Sequence, residues 1–105
     1  MATSKIKPQT NILRNLSVVV DDYYAGGTSG QTHLYTLQEG AIYILFIGKI
    51  NGAGTGFYLI TANTNQTMVG ALQASSVSTV TASALTLSVK IDANYTRVVL
   101  LKMGG

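Results

Sequence analysis

A chain of 105 residues holds one domain with one core, and 47% hydrophobic against 10% charged residues leaves a surface for uncharged polar groups to cover or a neighbour to bury. The formal charge of +3 comes from Lys5, Lys7 and Arg14 near the start and from Lys49, Lys90, Arg97 and Lys102 scattered singly, which gives no basic stripe for nucleic acid. The absence of cysteine excludes disulfides, thiolate chemistry and cysteine-ligated zinc.

Residues 1–13 are polar, carry the only proline, Pro8, and show no apolar period, so they are expected to form an arm or linker ahead of a single domain over 14–105. From Arg14 to Tyr24 a β-branched and aromatic run predicts a strand with Leu16, Val18 and Val20 on one face. Ala25 to Gly30 (AGGTSG) breaks it as a loop. Thr32 to Gln38 reads as a second strand, and Glu39-Gly40 turns into Ala41 to Ile50, a strand apolar on both faces. Such a strand lies inside a sandwich or has its outer face against another subunit.

The glycine-rich segment Asn51 to Gly56 is a hairpin connection into the strand FYLIT, and Asn63 to Gln66 turns again. Short strands follow at Thr67 to Gln73 and Val77 to Thr81. In Ala84 to Ile91 the residues Leu85, Leu87, Val89 and Ile91 alternate with Thr86, Ser88 and Lys90, and Tyr95 to Lys102 resumes after Asp92-Ala93-Asn94. That spacing predicts a hairpin between the last two strands. About eight strands at roughly ten-residue intervals make an all-β antiparallel sandwich, jelly-roll-like, the expected fold class.

The inventory for catalysis is thin. His33 is the only histidine and there are four acidic residues, so a hydrolytic triad would have to recruit His33 with Asp21, Asp22, Glu39 or Asp92, and no serine sits in a nucleophile-elbow context. Asp21 and Asp22 are strand neighbours that point to opposite faces, which bars them from flanking one glycosidic bond. The spaced acidic loop of a calcium site is missing, and the glycine-rich segments GTSG and GAGTG lead into no helix that could hold a phosphate. The chain therefore reads as no enzyme, with no cofactor and no metal.

A binding role has more to work with. Asp22, Tyr23 and Tyr24 precede a flexible polar loop that carries Thr28 and runs on to His33. A carboxylate accepts hydrogen bonds from vicinal hydroxyls and an aromatic ring packs on the apolar face of a sugar, so these five are the candidate carbohydrate-binding residues. The alternative for Tyr24 and His33 is a half-buried strand position, His33 lying on the same face as Tyr35.

The stretch LQEGAIYILFIGKINGAGTGFYLIT and the ending IDANYTRVVLLKMGG, a last strand stopping almost at the C-terminus, resemble the small β-sandwich modules of bacteriophage tail fibres, baseplates and head fibres. The resemblance covers Gln38 to Gly105 in general pattern. It implies a homotrimer that attaches to host cell-surface glycan or decorates the virion beside other virion proteins. The first sixteen residues hold no apolar run of signal-peptide length and the longest apolar stretch, Ala41 to Ile47, is too short to cross a bilayer, so synthesis in the cytoplasm without a signal peptide or membrane insertion is expected. A bacterial carbohydrate-binding or adhesin-like module unrelated to phage is the alternative, and a small β-barrel enzyme a third.

Overall fold

The computed structural model describes residues 16–50 and 52–104, so the polar arm expected over 1–13 lies outside the described residues. Eight strands follow one another: β1 (Leu16–Tyr24), β2 (Thr32–Thr36), β3 (Ile42–Lys49), β4 (Gly56–Thr61), β5 (Met68–Gln73), β6 (Ser78–Ser83), β7 (Thr86–Ile91) and β8 (Thr96–Met103). Each lies within a few residues of a segment that alternation and turn chemistry mark as a strand. They form two antiparallel sheets, one ordered β1-β8-β3-β4-β5 and the other β2-β7-β6.

The inner faces of both sheets close one core. Leu45, Ile47, Ile60, Val98 and Leu100 from the five-stranded sheet share a buried cluster with Leu87, Val89 and Ile91 from the three-stranded one. Burying a side chain of this kind is worth about 1.5–3 kcal/mol each, which makes this cluster the main source of the domain's stability. Tyr43 and Tyr58 enter the core as amphipathic residues do, body inside and hydroxyl at the margin. Tyr43 accepts from the Gln38 amide at 2.7 Å and Tyr58 from the Ser75 amide at 2.7 Å. In the β3–β4 connection Gly54 has φ of 120° and its missing Cβ leaves room for Val77, so a side chain there meets both backbone strain and a clash.

Two expectations are corrected. β7 and β8 do not pair: β7 lies between β2 and β6, while β8 lies between β1 and β3. The segment between them crosses from one sheet to the other, with Tyr95 at φ of 61° and its carbonyl accepting the Ile50 amide at 2.8 Å. Apolar alternation is the same whether two strands lie side by side or face each other across a core, and here they face. The hairpin partner of β7 is β6, closed by Ala84 and Leu85. Leu16, Val18 and Val20 do not share a face either, because the β1–β8 register shifts between Val18 and Val20. One extra residue flips the alternation, leaving Val18 64% exposed on the outer side while Val20 packs on the core.

Candidate functional site

The outer face of the five-stranded sheet is built by the residues that the core leaves over. In β3 the core takes Tyr43, Leu45 and Ile47, which turns Ile42, Ile44 and Phe46 outward. β4 does the same with Phe57 and Leu59, and β8 with Val99 and Leu101. Register aligns these residues across the sheet: Val18, Leu101, Ile44, Leu59 and Gly70 form one row, and Asp21, Val99, Phe46, Phe57 and Gln73 the next. The rings of Phe46 and Phe57 stack with centroids 4.9 Å apart. Leu59, on β4 between β3 and the edge strand β5, is 44% exposed.

The one charge in those rows is Asp21, and Arg97 in the row beyond neutralises it. Arg97 donates from Nε to Asp21 Oδ1 and from a terminal nitrogen to Oδ2, both at 2.9 Å, in the fork-to-fork geometry that suits a guanidinium and a carboxylate. The third row runs Tyr23, Arg97, Gly48. Gly48 puts no side chain between Phe46 and Ile50, which leaves a hollow of about 270 Å³ walled by Phe46, Lys49, Ile50, Thr55, Arg97 and Val99.

Five strands at about 4.8 Å spacing and rows about 6.8 Å apart give this face a span of roughly 20 Å in each direction. Soluble monomers rarely expose a contiguous apolar surface of that kind, and when they do it marks an interaction site. Comparison with family models, curated proteins and solved structures finds no match for this chain.

The candidate carbohydrate-binding residues divide between two places. β1 and β2 are edge strands of different sheets that meet along one side of the domain, and there Asp22, Tyr24 and His33 come together. The Tyr24 hydroxyl donates to Asp22 Oδ2 at 3.0 Å, the hydroxyls of Tyr24 and Tyr35 hydrogen-bond at 2.8 Å, and the Tyr24 ring stacks on His33 at 3.9 Å between centroids. Burial, followed by the hydrogen bonds to Tyr35 and Asp22, pushes the Tyr24 phenol well above its ordinary range, and burial also raises Tyr35. The Nε2 atom of His33 is buried with no hydrogen-bond partner among the described residues.

Tyr23, one residue along, points to the opposite side and is 52% exposed beside Arg97. Thr28 sits in the loop that follows β1, where its amide and that of Ser29 donate to Asn94 Oδ1 at 3.1 and 2.9 Å, and its hydroxyl donates to the Ala25 carbonyl at 2.5 Å. Asn94 is the residue that the sequence reading passes over. Its signal is local, an Asn in the turn Asp92-Ala93-Asn94, since a short side-chain amide is what such turns use to hold backbone N–H groups. Nothing local says that the amides it holds are 66 and 65 residues away in sequence.

Proposed function

We propose that this chain is an assembly module that packs against copies of itself through the outer face of the five-stranded sheet. The observation that carries the reading is the pair of unbroken rows on that face, aliphatic and aromatic from β8 across β3 to β4. A second copy is the occupant that fits best. The rows of this face are neutral, because Arg97 and Asp21 are paired within them, and the only other cation beside them among the described residues is Lys49 in the lining of the hollow. A self-complementary interface cannot be held by a large net charge that repels itself. The face's span of roughly 20 Å in each direction projects to roughly 400 Å², about half of the roughly 800 Å² that each partner contributes to a standard interface.

The phage-fibre resemblance gives the setting: a homotrimeric virion module at a fibre tip or as a decoration, with the five-stranded sheets turned towards the axis. The jelly-roll-like reading is supported by the order β1-β8-β3 in one sheet and β2-β7 in the other, which wraps the two ends of the chain around each other. The β3-β4-β5 meander departs from a regular wrap. Attachment to a cell-surface glycan is a second reading, favoured by the place where Asp22, Tyr24 and His33 meet beside the glycine-rich loop of residues 25–30.

Sedimentation equilibrium of the purified chain tests the first reading. A trimer or another closed oligomer at micromolar concentration is the expected result, and a clean monomer there overturns self-association. A glycan array run on the same sample tests the second, and an array without hits on any glycan class removes it.

A further inference from the structure

We infer that the hollow over Gly48 receives an apolar side chain from a second copy of this chain, and so sets the register in which two outer faces meet. This rests on the self-association reading. Gly48 lies inside β3, paired with Arg97 of β8, in ordinary extended backbone with no positive φ. A Cβ added there would meet nothing within 4 Å. Neither the backbone nor the chain's own packing calls for glycine at this position.

The contrast with Gly54 and Gly56 is direct. A Cβ at Gly54 would run into Val77 at 2.6 Å, and one at Gly56 into Ser75 and Tyr58 at 2.8 Å. Those glycines make room for the chain itself. A glycine inside a strand weakens it, and when nothing within the domain fills the space it marks close approach by something outside.

The walls say what approaches. Phe46, Ile47, Ile50 and Val99 are apolar, Arg97 at the rim already gives its fork to Asp21, and Lys49 is the other charged residue of the lining. Most of this lining is apolar, so an apolar knob finds a matching hole. The hollow is also continuous with the rows proposed to meet a second copy, since Phe46 and Val99 belong to both. A hole on a self-associating face is filled by the copy that covers the rest of it.

The test fills the hole. In sedimentation equilibrium Gly48→Leu should raise the dissociation constant of the oligomer by at least about tenfold, because a knob and a built-in leucine cannot share the space. Its circular dichroism should remain that of the wild-type sheet, given the free space around Gly48. Gly48→Ala should shift the constant the same way by less, and it carries the test if the leucine variant does not fold. A Gly48 variant that folds and assembles as wild type does overturns the proposal while leaving self-association standing. A wild-type monomer overturns both. Native mass spectrometry supplies the last arm: a small molecule held by the wild-type protein and expelled by Gly48→Leu, with the oligomer unchanged, overturns the second copy as occupant.

Discussion

The two sheets have similar inner faces and opposite outer ones. Inward, both present Val, Leu and Ile to one cluster. Outward, the three-stranded sheet aligns Thr32, Lys90 and Thr79, then Leu34, Ser88 and Thr81, then Thr36, Thr86 and Ser83. That is a carpet of hydroxyls with one ion pair, Lys90 to Asp92 at 3.9 Å, and a single large apolar residue, Leu34. The corresponding surface of the five-stranded sheet is aliphatic and aromatic. An antiparallel sheet with one face in water is expected to alternate apolar and polar, as β7 does, and on the outer side of the five-stranded sheet that alternation fails.

Breaking that apolar face should give the largest effect. Leu59→Glu puts a carboxylate within an apolar row of the sheet's outer surface, between Ile44 and Gly70, where a covering copy would bury it without a partner. Loss of the oligomer is the expected outcome in a sedimentation experiment, with the thermal stability of the dilute monomer changed by no more than about 0.5 kcal/mol, as for ordinary surface substitutions. A Leu59→Glu protein that assembles normally would put the interface somewhere else.

Asp21→Asn separates the monomer from the assembly more finely. In the free domain the Asp21–Arg97 pair is about half exposed on both sides, and such a pair is worth only about 0–1 kcal/mol. Under a covering copy the same guanidinium would lose its counter-charge and its water together, which costs far more. Denaturation of Asp21→Asn in the monomeric Leu59→Glu background should therefore show a small loss, and sedimentation in the wild-type background a much larger one. Equal losses would mean that the pair stays in water and that the face is open.

All eight strands were legible in the sequence, because alternation and glycine or Asn-rich turns are local signals. The doubly apolar strand was legible for the same reason: Ala41 to Ile50 has no polar residue on either side until Lys49, and the structure divides it between the core and the outer face. Pairing was not legible. The run from Leu87 to Ile91 and the run from Val98 to Leu100 carry the same pattern whether they hydrogen-bond or face each other, and only the whole topology decides. The candidate site was legible in part. Tyr23 and Tyr24 part company by the period of two, as any strand neighbours do, whereas the meeting of Tyr24 with His33 depends on two sheet edges coming together. The bulge at Val19 had no local marker in a run of three valines, and it alone decides which of them faces the core.

That line where the sheets meet gives a smaller prediction. Tyr24→Phe keeps the ring on His33 and removes the hydroxyl bonded to Asp22 and Tyr35, which should cost about 1 kcal/mol in denaturation. It should also change the response to alkali. The folded Tyr24 phenol has its pKa raised, so its contribution to stability is complete below the unfolded value of about 10 and drains away as pH rises from there, when the unfolded chain releases a proton that the folded chain keeps. Melting temperatures measured from neutral pH upward should therefore fall more steeply above about pH 10 in the wild type than in Tyr24→Phe. Tyr35 is raised by burial in both proteins, and Tyr24→Phe removes the hydrogen bond from Tyr24 that lowers it, so Tyr35 steepens the variant's curve somewhat more and narrows the difference.

The smallest effect belongs to the hydroxyl face, and it tests the comparison from its other side. Thr81→Val replaces a hydroxyl by a methyl in the middle row, next to Ser88, without changing the branching at Cβ that suits a strand. On a face turned to water this should move stability by no more than about 0.5 kcal/mol and leave the oligomer's dissociation constant where it was. If the three-stranded sheet were part of the interface, the lost hydroxyl would leave a hydrogen-bonding group of the partner unsatisfied, or the added methyl would tighten the contact, and the constant would move in either case. A change there would mean that the chain meets its neighbours through hydroxyls, and that the apolar rows of the five-stranded sheet are covered by something other than a copy.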